Sequence, residues 1–491
     1  MSDTLEMTDV KKGYEQELNK YVEQERACIN LNNSIGELML SKSVELVLFR
    51  NPLLNSSVPE ILNLHNYAKS VVNKTIDVFT TSELANEILK LDLAPSKIDI
   101  GKLASEWLNE KDAFESKADF IGQKLANIIG ASSEELQPKD VVLYGFGRIG
   151  RLACRELIKQ AGKGQQLRLR AIVTRKVDKA TIEKRAALLR NDSVHGTFEG
   201  TVVEDYENQQ LIINGQIVKL IEAKNPEDVD YTAFGINDAL VVDNTGVFTN
   251  KEALGRHLKS NGASKVLLTA PGAEIPNVVY GINQGELNLE EDSIFSAASC
   301  TTNAISPVLK VINDEFGVVK GHIETVHAYT NDQNLLDNMH KKPRRGRSAA
   351  VNMVITSTGA GKAVTKVIPD LANKLTANAV RVPTPNGSLA ILSLNLNKEA
   401  DSVEAVNNLL KGAALEGNLV NQIKFAIDPE LVSNDIIGNT CCAVFDSNAT
   451  IVSQDKKNVV LYVWYDNEFG YTKQVIRLAK HIAKVRRLQY Y

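Results

Sequence analysis

The sequence predicts an α/β protein with an all-helical extension at its N-terminus. Three observations lead there. Residues 1 to about 138 carry apolar side chains at helical spacing. At Val141 the pattern changes to short apolar strands that alternate with helices, which predicts a mostly parallel sheet. From Leu389 onward longer strands recur, which predicts a large mixed or antiparallel sheet.

The chain has 491 residues, room for about three domains. Its 43% hydrophobic and 24% charged content is that of a soluble globular protein. No apolar run is long enough to cross a membrane, and the start, Met-Ser-Asp-Thr-Leu-Glu-Met, lacks the basic and apolar regions of a signal peptide. Five cysteines (Cys28, Cys154, Cys300, Cys441, Cys442) show no metal-ligand spacing, so neither a metal nor a disulfide is expected, and the location expected is cytoplasmic. Residues 1–138 hold 14 Lys and Arg against 22 Asp and Glu, a net of −8 in a chain of net −4. The extension is acidic and the body mildly basic, a balance that argues against strong nucleic-acid binding.

In the extension, Tyr14, Leu18, Tyr21, Val22, Cys28 and Ile29 follow a helix, as do Ile61, Leu64, Ala68, Val71 and Val72. Ser82 is a candidate cap for a helix bearing Leu84, Ala85, Ile88 and Leu89. Phe114, Ala118, Ile121, Leu125 and Ile128 form a further stripe, with Gly130 as its expected C-cap. The boundary falls in the polar stretch 131–140.

Val141-Val-Leu-Tyr144 then runs into Gly145-Phe-Gly-Arg-Ile-Gly150 and a helix with Leu152, Ala153, Leu157 and Ile158. Strand, Gly-x-Gly-x-x-Gly, helix is the arrangement of a Rossmann dinucleotide site, with phosphates on the helix N-terminus. The next strand, Leu169–Val173, ends at Thr174-Arg-Lys176, where such sites commonly carry a ribose-binding carboxylate. Nothing there repels a 2′-phosphate, so NADP, or a relaxed choice between NAD and NADP, is expected. Leu240–Asp243 enters Asn244-Thr-Gly246, and Lys265–Thr269 enters Ala270-Pro-Gly272, at strand-to-loop junctions where ligands bind.

Cys300 lies in Ser296-Ala-Ala-Ser-Cys-Thr-Thr-Asn303, just before the stripe Ile305, Val308, Leu309 and Ile312. A helix N-terminus favours a thiolate there. Pro307 is tolerable near that helix start. Strand alternation puts Ile323, Thr325 and His327 on one face, making His327 a candidate base for Cys300. The run Lys341-Lys-Pro-Arg-Arg-Gly-Arg347, the stretch Ile355-Thr-Ser-Thr-Gly-Ala-Gly361 and Arg381 suit a phosphate-bearing substrate. Cys441 and Cys442 sit in a strand-like run and should face opposite sides. A final amphipathic helix carries Val475, Ile476, Leu478, Ala479 and Ile482.

Together with Asp192-Ser-Val-His-Gly196, Val326-His-Ala-Tyr-Thr-Asn-Asp332, Arg381-Val-Pro-Thr-Pro-Asn386 and Trp464-Tyr-Asp-Asn-Glu-Phe-Gly-Tyr471, these stretches resemble the phosphorylating glyceraldehyde-3-phosphate dehydrogenase family over residues 139–491. The resemblance implies a nucleotide domain at 139–299 completed by 466–491, and a catalytic domain at 300–465. It implies Cys300 as nucleophile and His327 as base. Ser299, Thr301, Thr330, Arg345, Thr358, Gly359 and Arg381 would form two anion sites. Gly145, Gly147, Arg148, Ile149, Gly150, Thr174, Arg175, Thr245, Gly246, Thr269, Asn338 and Asn467 would bind the cofactor, Asn467 by orienting the nicotinamide amide. Substrates would be a phosphorylated aldehyde and inorganic phosphate, turned over by a homotetramer of glycolysis or gluconeogenesis. Erythrose-4-phosphate dehydrogenase is a close alternative. A regulatory scaffold acting through the acidic extension is another. Thr174 in place of the acidic ribose residue, and Asn338 where NAD-specific members usually carry Leu-Pro, depart from the family toward NADP. The 138-residue extension lies outside the family pattern and is expected to serve oligomerisation or docking of a protein partner.

Overall fold

The computed structural model describes residues 2–70, 73–131, 137–162 and 164–491, with side chains from residue 13 onward. The chain divides into two compact units, Met1–Leu136 with Arg486–Tyr491, and Gln137–Val485. Among the described residues no helix is long and apolar enough to cross a membrane.

The first unit is not all-helical. The helices Ser2–Lys42, Val58–Ser70, Val78–Lys90, Ile100–Glu110 and Lys117–Lys124 surround a four-stranded sheet. Its order is Asn51–Pro52, Glu45–Leu48, Ser96–Asp99, Leu488–Tyr490. Two things hide this sheet from helical periodicity. The inner strands are four residues long and almost wholly buried, so they show no alternation. The fourth strand comes from the far end of the chain and pairs in parallel, Leu488 with Ser96 and Tyr490 with Ile98. The last six residues therefore belong to this unit and not to the nucleotide domain.

Asp99 organises the unit's tight turn. Phe49 and Arg50, at φ 43° and 69°, reverse the chain between the first two strands. The buried Asp99 carboxylate accepts the Phe49 N–H at 2.9 Å and the Arg50 N–H at 3.1 Å. It also caps the helix Ile100–Glu110 through Gly101 N–H at 3.0 Å and Lys102 N–H at 3.1 Å. Two expected caps are displaced. Asp77, accepting the Thr80 N–H at 2.7 Å, caps Val78–Lys90, and Ser82 is buried inside that helix. The helix Lys117–Lys124 ends at Leu125, and Gly130, at φ 63°, sits further on with its N–H on Asp92 O. Val71 and Val72, and residues 132–136 of the expected boundary, lie outside the described residues.

The second unit holds two eight-stranded sheets. The first runs Ile294–Ser296, Ala263–Leu268, Ala239–Asp243, Lys139–Tyr144, Leu167–Thr174, Gln216–Glu222, Gln210–Ile213, Val202–Asp205. Its first six strands are parallel. The helix Phe469–Ile482 buries Val475, Ile476, Leu478, Ala479 and Ile482 in this sheet's core beside Leu143 and Leu157. The second sheet is mixed. Val318–Ala328 lies at its centre, parallel to Leu375–Val382 and antiparallel to Ser388–Leu396, which pairs in turn with Asn458–Tyr465. Cys441 and Cys442 precede the strand Ala443–Asp446 and are not part of it, so strand alternation does not govern them.

The helix Cys300–Phe316 carries Pro307 as its eighth residue, well inside rather than at the start. Proline has no N–H for the carbonyl four residues back, that of Asn303. The Cys442 thiol donates to Asn303 O at 3.2 Å and fills that vacancy. The proline is tolerated because a buried side chain substitutes for the missing helical donor.

Candidate functional site

Cys300 is the first residue of its helix. The Oγ of Ser299 accepts the Thr302 N–H at 3.0 Å, which leaves the first-turn amide of Cys300 with no intrahelical acceptor. The turn before it is strained, with Ala298 at φ 56°. That conformation costs an alanine about 1–2 kcal/mol. Its surroundings hold it there: Ser296 Oγ accepts the Ala298 N–H at 3.0 Å, Tyr471 Oη donates to Ala298 O at 2.8 Å, and Asn303 Nδ2 donates to Ala297 O at 2.8 Å. Strain held by its surroundings in this way is of the kind that collects at functional turns.

His327 lies near the end of the strand Val318–Ala328, and Ile323, Thr325 and His327 are buried on one face as alternation requires. Its Nε2 stands 3.6 Å from Cys300 Sγ. Its Nδ1 lies 2.7 Å from Ala328 O, and in the tautomer that donates this bond Nε2 is the acceptor facing sulfur. Register pairs His327 with Arg381, whose Nη1 lies 2.9 Å from Nδ1 and donates to Ala328 O at 2.7 Å. Burial pulls the imidazole down to about 3, with the Arg381 charge acting the same way. Burial pushes the Cys300 thiol up, while Arg381 draws it down. The guanidinium thus favours one charge distribution at this pair, a thiolate beside a neutral imidazole.

Cys300 and His327 line a cleft of about 540 Å³ together with Arg148, Ile149, Ser299, Thr269, Thr330, Arg381 and Asn467. A second pocket, of about 290 Å³, opens at the carboxyl ends of the parallel strands and is lined by Gly145, Thr174, Arg175 and Thr245. Gly147 caps the helix Arg148–Lys159 without a side-chain bond, so the first-turn amides stay open to an anion. A Cβ at Gly150 would stand 2.5 Å from Gly145 O, so only glycine permits this turn, and Gly145 has φ 92°. These features fit a dinucleotide, with its pyrophosphate at the helix start.

Other expected residues lie elsewhere. Thr301 is buried, with Oγ1 3.0 Å from Tyr465 Oη. Arg345 is ion-paired to Asp332 at 2.5 Å and donates to Thr356 Oγ1, and neither it nor Thr358 or Gly359 lines the cleft. Gly246 lies beside the second pocket, at φ 67°, without lining it. Asn338 is held in the segment near Gly346 and lines neither pocket. Lys176 pairs with Asp178 at 2.6 Å. Among the described residues Arg175 and Lys224 make no ion pair.

Several lining residues escaped sequence reasoning. Lys224 lies just past Gln216–Glu222, the strand beside Leu167–Thr174, and lines the second pocket. The rule that parallel strands carry ligand contacts at their carboxyl ends points to it. Ser193, Tyr329, Asn331 and Glu468 line the larger cleft. Glu468 bonds Arg148 Nη2 at 2.6 Å and His195 Nε2 at 3.0 Å, a pairing between distant stretches that no spacing announces. Among the described residues no group of three His, Cys, Asp or Glu could hold a metal.

Two family models match the chain. Residues 139–251 match the glyceraldehyde 3-phosphate dehydrogenase NAD binding domain, and residues 299–467 match the C-terminal domain of the same family. A glyceraldehyde-3-phosphate dehydrogenase-like protein of Pseudomonas aeruginosa is 47% identical over 455 residues, covering 92% of this chain and 98% of that protein. An alignment of that length takes in part of residues 1–136. The glyceraldehyde-3-phosphate dehydrogenase of Priestia megaterium is 42% identical over 342 residues, 70% of this chain and 97% of that protein. The chloroplastic glyceraldehyde-3-phosphate dehydrogenase B of Pisum sativum is 41% identical over 347 residues, 70% of this chain and 74% of that protein. With its cysteine and histidine aligned in a cleft beside a glycine-turn nucleotide site, the chain belongs to the glyceraldehyde-3-phosphate dehydrogenase family, a family of NAD-dependent oxidoreductases.

Proposed function

We propose that the chain is a phosphorylating glyceraldehyde-3-phosphate dehydrogenase that converts glyceraldehyde 3-phosphate, NAD(P)⁺ and phosphate into 1,3-bisphosphoglycerate, NAD(P)H and a proton. The observation that carries this reading is Cys300 Sγ facing His327 Nε2 at 3.6 Å, with Arg381 against the same imidazole. The Cys300 thiolate adds to the aldehyde carbon. The oxyanion that forms meets the Cys300 N–H at the helix start, a donor of a kind worth about 3–4 kcal/mol. The oxyanion takes a proton from solvent to become the thiohemiacetal hydroxyl, and His327 Nε2 removes that proton as the C–H bond gives up hydride. A nicotinamide cofactor held by the cleft residues Arg148, Ile149 and Asn467 would supply the acceptor for that hydride. An oxygen of inorganic phosphate then attacks the thioester carbon, and the Cys300 thiolate leaves. Arg381 supplies donors for the substrate phosphate or for the attacking phosphate, and Thr330, whose O–H donates to Asp332 and whose Oγ1 accepts from Arg381 at 3.3 Å, lines the same cleft.

Use of NADP belongs to the same reading. Thr174 brings no carboxylate to the second pocket, and Arg175 and Lys224 bring two cations. Homotetramer assembly is supported by Leu335, Leu336, Met339, Val351 and Met353, each more than 70% exposed on one segment, an apolar area that another copy would cover. Docking of a protein partner on the first unit is supported by Tyr14, Leu18 and Tyr21, exposed along one helix. Free cysteines suit a cytoplasmic location.

Initial rates with glyceraldehyde 3-phosphate, with and without phosphate and with NAD or NADP, test the reading. Phosphate-dependent turnover with a higher kcat/KM for NADP is expected. Turnover of erythrose 4-phosphate independent of phosphate would replace the substrate, and normal turnover by Cys300→Ser would remove the mechanism.

A further inference from the structure

We infer that Ser388 is the positioning residue that decides which end of the Asn467 amide faces the cleft, an inference that rests on the nicotinamide reading of that cleft. Ser388 opens the strand Ser388–Leu396 and is 1% exposed. Its Oγ accepts the Ala328 N–H at 3.1 Å, and its O–H donates to Asn467 Oδ1 at 2.7 Å. A hydroxyl has one proton to give, and here the amide oxygen receives it. Oδ1 is thereby turned inward. The end of the amide left to the cleft is Nδ2, a donor only.

The backbone around Asn467 leaves this side chain little freedom apart from that flip. Asp466 Oδ1 accepts Asn386 Nδ2 at 2.8 Å, the Glu468 N–H at 2.9 Å and the Phe469 N–H at 2.7 Å. Asp466 Oδ2 accepts the Gly438 N–H at 2.8 Å. The Glu468 carboxylate holds Arg148 and His195. With residues 466 and 468 clamped, one hydroxyl decides whether position 467 offers a donor or an acceptor. Ala328, the other partner of Ser388, follows His327. The strand that aims the base therefore also anchors the amide opposite it.

A donor at this place reads the carbonyl of a ligand carboxamide and rejects its NH₂ end. At a given ring–carboxamide torsion, the end that is read fixes which face of the attached ring is turned toward the substrate. Without the Ser388 hydroxyl, Asn467 is free to turn by half a rotation and present Oδ1 instead.

The test compares Ser388→Ala and Ser388→Cys with the full-length wild-type chain. Calorimetry gives dissociation constants for NADP and for 2′-phospho-ADP-ribose, its fragment lacking nicotinamide, with NAD and ADP-ribose as a parallel pair. A deuterated aldehyde reports the ring face that is labelled. Ser388→Ala is expected to weaken the dinucleotide by about 10-fold or more, leave the fragment unchanged, and spread deuterium over both faces. Ser388→Cys, of similar shape but a weaker donor, is expected to show the same split to a smaller degree, and it serves if the alanine variant does not fold. Dinucleotide affinity equal to wild type, or equal weakening of dinucleotide and fragment, overturns the inference. A wild-type chain that binds neither ligand removes the cofactor reading and the inference with it, whereas wild-type binding with unchanged variants removes the inference alone.

Discussion

Replacing His327 by Asn tests the central contact. The substitution keeps a polar side chain of lesser volume and removes the ring nitrogen that faces Cys300 Sγ at 3.6 Å. A positioned general base contributes about 10²–10⁴-fold, or about 3–5.5 kcal/mol. The pH dependence is the sharper part. Burial and the Arg381 charge hold the imidazole down to about 3, so it stays neutral from pH 5 to 8. The ratio of wild-type to variant kcat/KM should therefore be flat across that range. A second readout follows from linkage. Above pH 6.5 the imidazole is neutral in both folded and unfolded chains and has no effect. As pH falls below 6.5 the unfolded chain takes up a proton that the folded chain refuses, down to about pH 3. At pH 5 this destabilises the wild type by about 2 kcal/mol. His327→Asn should lose correspondingly less stability between pH 7 and pH 5, measured by urea unfolding. A rate ratio under 10, or one that changes with an inflection between pH 6 and 7, would refute the reasoning.

Three further outcomes are expected. Cys442→Ala should cost about 1–3 kcal/mol by orphaning the Asn303 carbonyl, and Pro307→Ala in the same chain should recover part of it by restoring the helical N–H, read from a double-mutant cycle in urea. Lys224→Ala should raise KM for NADP about 10-fold while leaving KM for NAD unchanged, because only a 2′-phosphate needs its charge; equal effects on both cofactors would remove Lys224 from specificity. Asp99→Ala should leave the Phe49 and Gly101 N–H groups without their acceptor at about 1–3 kcal/mol each, lowering the unfolding transition of the first unit.

The sequence by itself determined the parts of this protein that depend on local spacing. The glycine turn after Val141–Tyr144, the helix that starts at Cys300, and the face shared by Ile323, Thr325 and His327 were legible because each is set by neighbours within a few residues. Tertiary structure alone decided whatever joins distant stretches. Leu488–Tyr490 completes a sheet begun at Glu45, and four-residue buried strands carry no period to announce such a partner. Asn303 O finds its donor in Cys442, which turns Pro307 from a helix-start residue into an interior one. Arg381 reaches His327 through strand register, and Lys224 reaches Thr174 through the order of parallel strands. Periodicity records which face of an element is apolar. It holds no information on which other element covers that face, because burial is non-directional and the pairing is chosen by the packing of the whole chain.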